Sequence, residues 1–340
     1  MRRQRRLTLI VGIVIVLLCG VHGAGWLIVA GRIEDGAAGW AEAMRPRGLA
    51  IAWKAIRVAG YPFSFRVELT DARIVGTALS PASEFTAPLL SASIRPWNWH
   101  NAVLKAPDGL QAKSSGVVEL VAGAAVGTVA IGDDGSTAAW LALSDVKAAA
   151  AAIPDARATA ETAQLWLTVP AMPPQGHTER SIAVAGDFTR LSIPLAPPAL
   201  GNTVDDLAFG VAVMGTIPPG PPRQAAIAWR DAGGAVEIDH FHLGWGALGI
   251  DASGTAALDQ DLQPIGSFSG ALSGYEELLT ALVSTGQIRG SDARSLKLVL
   301  GMLAKLGPDG KKRIATAFSL QNGQIFVGPA SLGRVPRIPW

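Results

Sequence analysis

The sequence predicts a mainly β protein (β-rich α+β): an elongated, curved antiparallel sheet with a few short helices, preceded by one N-terminal transmembrane helix. Three observations predict it. Residues Leu7 to Ala30 form one long apolar run, led by Arg2, Arg3, Arg5 and Arg6. Beyond that run, apolar residues recur mostly at every second position, as in half-buried strands. Helical stripes are short, and Gly, Pro, Asn and Asp punctuate the remainder.

The apolar run is long enough to cross roughly 30 Å of hydrocarbon as an α-helix. Arginines before it favour an N-inside orientation. A cleaved signal peptide needs a shorter core and a small-x-small site, whereas this run continues through Trp26, Leu27, Ile28 and Val29. Leu18 before the single cysteine, Cys19, argues against lipidation, and no cysteine follows to build a disulfide framework. The expected organisation is a cytoplasmic basic tip at 1–6, an uncleaved anchor at 7–30 and a body at 31–340 outside the cytoplasm. A lobe boundary is expected near 194–201, in one of two proline-rich joints.

Along the body, Phe63 to Thr70 alternates apolar and polar residues. Further expected strands are Val117–Val121, Gly127–Ile131, Thr137–Leu143, Ala163–Val169, Ser181–Ala185, Leu207–Met214, Ala225–Arg230 and Ala235–Leu243. Gly249–Leu258, Ile265–Leu272, Arg313–Leu320 and Gln324–Val327 complete the set, with Asn322-Gly323 as a hairpin signal. Arg32 to Arg45 should continue the anchor helix, and Pro46 should stop it. Asp145 to Ile153 is alanine-rich and predicts a helix by propensity. Ser273-Gly-Tyr-Glu276 reads as a capping box, and Ser291 as the cap of a second helix carrying Leu296, Val299, Leu300, Leu303 and Leu306. Gly307-Pro308 should end that helix.

Composition narrows the function classes. The chain is 49% hydrophobic and only 16% charged, with a formal net charge of +2. No basic stripe with interleaved aromatics appears, so nucleic acid is a poor partner. Low charge on an exported body implies extensive apolar burial or an apolar groove.

The segment Gly60-Tyr-Pro-Phe-Ser-Phe-Arg-Val-Glu-Leu-Thr-Asp-Ala-Arg73, with Ala87-Pro88 and Pro96-Trp97-Asn98-Trp99, resembles a family of Gram-negative envelope proteins, domain of unknown function 2125. Gly254 to Asp259, Gln263-Pro264 and Asn322 to Pro329 fit it too. The resemblance implies a periplasmic, β-rich protein anchored in the inner membrane by its N-terminus. More loosely, the closing strand–helix–helix–hairpin order is similar to the C-terminal module of AsmA-like proteins. That likeness implies an apolar β-groove for lipid.

Catalytic signatures are sparse. Gly244-Trp-Gly-Ala-Leu-Gly249 matches the dinucleotide fingerprint, but turn and strand formers follow where a helix is required, so a β-turn is expected. His240 and His242 share one strand face and could form half of a metal site, yet lack further ligands nearby in sequence. Asp205-Asp206, Glu276-Glu277 and Asp133-Asp134 suit turns and helix starts. No nucleophile elbow, Walker loop or His-Glu-x-x-His occurs. The sequence therefore assigns no catalytic, cofactor or metal residue, and no enzymatic activity. Of ten tryptophans, Trp97 and Trp99 stand out: two apart and beside Pro96, they are candidates for a membrane-facing or ligand-facing rim. The expected partners are the lipid bilayer, a phospholipid or other apolar ligand, and an inner-membrane protein. The leading expectation is lipid handling. Next come an adaptor docking a membrane complex and then an envelope hydrolase built on a cluster such as Ser, His240 and Asp.

Overall fold

The structure, a computed structural model, describes every residue except 1, 77–81, 115–117, 151–152, 195, 307–311, 328–329 and 339–340. It also omits the side chains of 2–11, 118, 150, 153–156, 316, 327, 330 and 332–333. The chain divides into two compact units, Met1–Ala130 and Ile131–Trp340.

The N-terminal unit starts with α1 (Arg2–Met44), which runs unbroken through the apolar stretch and the expected extension. Pro46 then falls in a single 3₁₀ turn, Arg45–Arg47, closed by Gly48 at φ 79°. Arg2, Arg3, Arg5 and Arg6 lie in the first turns of α1, and their side chains are outside those described. From Gly12 onward the helix is apolar enough to cross a membrane, with a window of mean hydropathy 2.4 that is only 6% buried.

Eight strands follow: β1 (Leu49–Ala52), β2 (Ala55–Ala59), β3 (Phe65–Gly76), β4 (Ser83–Arg95), β5 (Asn98–Ala106), β6 (Leu110–Ser114), β7 (Val118–Ala122) and β8 (Ala124–Ile131). All pair antiparallel. β3 takes both β1 and β2 on one side and β4 on the other, and β4 in turn takes β5 and β6. The alternation read at Phe63–Thr70 thus lies on β3 from Phe65 onward. Buried positions in this unit's strands are small: Ala72, Ala87, Ala106, Ala122 and Ala125.

The C-terminal unit holds β9 (Thr137–Ala150), β10 (Ile153–Val169), β11 (Arg180–Ser192), β12 (Thr203–Met214), α2 (Pro222–Asp231), β13 (Ala235–Trp245), β14 (Leu248–Leu258) and β15 (Pro264–Ser273). After these come α3 (Tyr275–Ser284), α4 (Gly290–Leu303), β16 (Lys305–Leu306), β17 (Lys312–Gln321), β18 (Gln324–Val327) and β19 (Ala330–Arg334). Strands β9 to β15 pair in chain order, and β17 joins β15 directly across the α3–α4 insertion. Asn322 and Gly323 take φ 51° and 69°. Two successive positive φ angles match the twist of a two-residue hairpin.

Two expectations about local structure are overturned. Residues 145–150 extend β9 rather than forming a helix: Val146, Lys147 and Ala148 pair with Ala160, Thr159 and Ala158, and Asp145 sits at φ 50°. Ladder pairing along a neighbouring strand outweighs the few tenths of a kcal/mol per residue that separate helix propensities. Conversely, Ala225–Arg230 lies in α2 rather than in a strand. Pro222 supplies a preset φ at the helix start, and Trp229 anchors the turn, buried with its Nε1 donating to Met214 O at 2.8 Å.

The helix starts also correct the reading. Ser273 does not cap α3, because it belongs to β15, opposite Gly249 and Arg313. Gly274, at φ 66°, occupies the cap position instead. A Cβ at Gly274 would lie 2.1 Å from Ala247 O, so only glycine fits. α4 begins at Gly290, with Ser291 inside it donating to Asp292. Leu306 has left the helix for β16, and Gly307-Pro308 lies outside the described residues. Residues 196–202, where a lobe boundary is expected, connect β11 and β12, which pair with each other within the C-terminal unit.

The main core of this unit lies between the sheet and the α3–α4 pair. Leu200, Leu248, Leu272, Leu279, Leu296, Leu300 and Ile314 form it, with Tyr275.

Candidate membrane and ligand surfaces

Trp97 and Trp99 come together with residues the sequence did not single out. The β2–β3 loop (60–64) and the β4–β5 turn are neighbours because Phe65 pairs with Ile94 across β3 and β4. That pairing brings Phe63 against Trp97, with ring centroids 6.2 Å apart in an edge-on arrangement. All of these side chains face solvent: Tyr61 is 52% exposed, Phe63 66%, and Trp97 and Trp99 65% each. The loop itself is tightly built. Gly60 at φ 104° accepts from Ser64 N and Ser64 Oγ, and a Cβ there would lie 2.5 Å from that Oγ.

The same loop grips α1. Trp26 stacks on Phe65 with centroids 5.6 Å apart, meets Tyr61 edge-on at 5.7 Å and donates its indole N–H to Ser64 O at 3.1 Å. His22 Nε2 lies 3.0 Å from Pro62 O. Further along the helix, Glu34 Oε1 accepts from Val58 N at 2.8 Å, giving a β2 amide a partner off the ladder. None of these partners is near its mate in sequence, so no local pattern signals them.

The second surface is one face of the C-terminal sheet. Cross-strand partners share a face, so the register assembles side chains into rows. One row reads Ala139, Leu167, Val184, Val211, Ile238, Gly254, Phe268, Phe318 from β9 to β17. The next reads Leu141, Leu165, Gly186, Phe209, Phe241, Ala252, Gly270, Thr316. The third, from Leu143 to Ile314, runs under α3 and α4 into the core. The described side chains of the first two rows are half-buried to exposed, apart from buried Gly186, with Leu167 and Val184 at 39% and 38%. Seven interstrand steps of about 4.8 Å make each row roughly 34 Å long.

Glycines keep this face low. A Cβ at Gly186 would sit 2.6 Å from the Phe209 ring, and one at Gly266 would sit 2.7 Å from the Phe268 ring. The Phe209 ring therefore lies down over the neighbouring strand and the Phe268 ring along its own, instead of standing clear of the sheet. The opposite face is more polar but mixed: one row carries Gln164, Asp187, His242 and Asp251 among alanines, and the next begins with Trp140 and Trp166. A separate open cleft of about 650 Å³ beside α3 and α4 is rimmed by Glu276, Arg294 and Lys297.

His242 sits on that polar face between two carboxylates. Nδ1 is 2.6 Å from Asp251 Oδ1, and Nε2 is 2.7 Å from Asp206 Oδ2. The hydrogen bond with Asp251 is the main cause of its raised pKa; partial desolvation opposes it, and Asp206 adds to it. Both ring nitrogens face acceptors, so the imidazolium is the favoured form. A general base needs one nitrogen for its nucleophile, and here neither is left over. His240 lies on the same face, over Gly210. Among the described residues, no group of three or more His, Cys, Asp or Glu is placed to hold a metal ion.

The remaining motifs are structural. The glycine-rich Gly244–Gly249 is the tight β13–β14 hairpin, where Trp245 pairs with Leu248 and Gly246 takes φ 57°. Asp205 accepts from Gly246 N at 3.3 Å. Asp134 accepts from the hydroxyl and amide of Ser136 in the β8–β9 turn, and the hydroxyl is the chief cause of its lowered pKa. Glu276 pairs with Lys297 across α3 and α4.

Residues 26–336 match the family described as uncharacterized protein conserved in bacteria (DUF2125). The chain belongs to that family. No curated protein and no solved structure matches it. None of these comparisons shows a likeness to AsmA-like proteins.

Proposed function

We propose that the protein is a single-pass inner-membrane protein, N-terminus cytoplasmic, whose periplasmic body binds or handles a lipid or other apolar envelope component without catalysing a reaction. The carrying observation is the pair of half-buried, charge-free apolar rows across eight strands of the C-terminal unit. A charge-free floor about 34 Å long can accommodate an extended acyl chain, and apolar area removed from water there stabilises binding by about 25 cal/mol per Å². A half-buried apolar face of this extent suits an interaction surface on a soluble body.

Retention of the anchor is supported by the body's hold on it. Removal of α1 at a signal-type site would strip Phe65 and Tyr61 of Trp26, and Val58 of its acceptor. The N-inside orientation is supported by the four leading arginines.

The test uses full-length protein and a phospholipid carrying a photoactivatable group on its acyl chain, with cross-linked peptides mapped by mass spectrometry. Adducts on β11 to β15 are expected, and Val211→Glu should remove them while leaving adducts on α1. Adducts confined to α1 would sink the lipid reading. If the two rows were instead protected by a co-purifying membrane protein in stoichiometric amount, the adaptor reading would replace it.

A further inference from the structure

We propose that the Gly60–Ser64 loop and the adjoining Pro96–Trp99 turn form an aromatic foot that inserts into the outer interface of the bilayer that α1 spans. The foot would fix the N-terminal unit on the membrane surface rather than leaving it on a tether. This rests on reading α1 as a retained anchor.

Depth is the first argument. From Leu7 to Trp26 is nineteen residues, or about 29 Å of helix at about 1.5 Å per residue, close to the hydrocarbon thickness of about 30 Å. Trp26 therefore falls at the outer hydrocarbon boundary when Leu7 sits at the inner one, and His22 lies about 6 Å deeper. The residues that hold the loop are Trp26 and His22 themselves. Tyr61 and Phe63 are thus set beside helix residues that must face acyl chains. Val21, below that boundary, and Leu27 and Ile28, just above it, are 73%, 67% and 62% exposed, as a helix face turned to lipid is.

Chemistry is the second. Tyr and Trp concentrate at membrane interfaces, where an apolar ring meets hydrocarbon and its polar edge stays wet. Residues 60–64 and 94–100 contain no Asp or Glu, and Arg95 stands among the rings at headgroup level. The exposed rings sit at one end of the strands, where a neighbouring bilayer surface meets them end-on. In water, this grouping of Tyr61, Phe63, Ile94, Trp97 and Trp99 would be a liability.

The experiment keeps the full chain. In a Cys19→Ala background, single cysteines replace Phe63, Trp97 or, at the far end of β5, Asp108, each labelled with an environment-sensitive fluorophore. Protein is reconstituted into vesicles of phosphatidylethanolamine and phosphatidylglycerol with or without a spin-labelled lipid quencher. Phe63 and Trp97 are exposed, so their replacement should leave the fold intact. Labels at 63 and 97 should lose emission when quencher lipid is present, and the label at 108 should not. Equal emission at all three sites, in protein that floats with vesicles after alkaline carbonate washing, would overturn the foot and leave the anchor standing. Protein stripped by carbonate would overturn the anchor and the foot together.

Discussion

The two units place their large apolar residues in opposite ways. In the C-terminal unit, Leu272, Leu300 and Ile314 are 2%, 1% and 0% exposed, gathered between the sheet and the α3–α4 pair. In the N-terminal unit, the buried strand positions are all small residues, mostly alanines, while Tyr61, Phe63, Trp97 and Trp99 face outward. One unit is held together by a core. The other relies on its hydrogen-bonded ladder and its grip on α1, and its greasiest side chains are left for another medium. The contrast gives one half its stability and, on the proposed reading, the other half its membrane attachment.

The largest test of this contrast is Leu300→Ala. Truncating a fully buried leucine removes transfer energy and leaves a cavity, so about 2–5 kcal/mol should be lost. Urea unfolding followed by hydrogen exchange should localise that loss to β12–β17 and leave β2–β4 unchanged. Equal loosening of both units would show that they do not unfold separately. Next comes Trp26→Ala, which deletes one hydrogen bond and two ring contacts. A net hydrogen bond of about 1 kcal/mol and two aromatic contacts of about 0.5–1.5 kcal/mol each predict a loss of about 2–4 kcal/mol. It should appear as faster amide exchange at Ser64 and Val58 with no change at Leu272. If exchange at Ser64 stays slow, α1 is not what orders the loop.

The contrast was partly legible in the sequence. Strand periodicity survives into the structure because each half-buried strand needs alternation. The Asn322-Gly323 turn was legible because its chemistry is local. Trp97 and Trp99 stand out by spacing, yet Phe63 joins them only through the Phe65–Ile94 register, which no short window carries. Asp206 and Asp251 reach His242 from 36 and 9 residues away, again by register. Residues 145–150 misled because alanine favours helix intrinsically, while pairing with Ala158–Ala160 decides the outcome. Residues 225–230 misled because a short apolar run fits either period; only the proline start and the buried Trp229 distinguish them.

The smallest effect, and the one that best separates the two units by condition rather than by mutation, is pH. His242 has its pKa raised, mainly by the Asp251 hydrogen bond. Its contribution to stability is therefore fully present below the ordinary imidazole value of about 6.5 and is lost as pH rises through the raised folded value. In the N-terminal unit the sign is reversed. Glu84 has its pKa lowered, chiefly by its hydrogen bond from Arg73, so any contribution is present above the ordinary carboxylate range and fades in acid. Both sites are solvent-exposed, so the effects should be small. Proton NMR of His242 should give a midpoint above that of an unstructured histidine, and Asp251→Asn should move it down. Comparing wild type with His242→Gln, the stability gap should be widest in mildly acidic buffer and close as the solution turns alkaline. A gap that stays constant across that range would mean the imidazole is held by packing over Ala208 rather than by its two carboxylates.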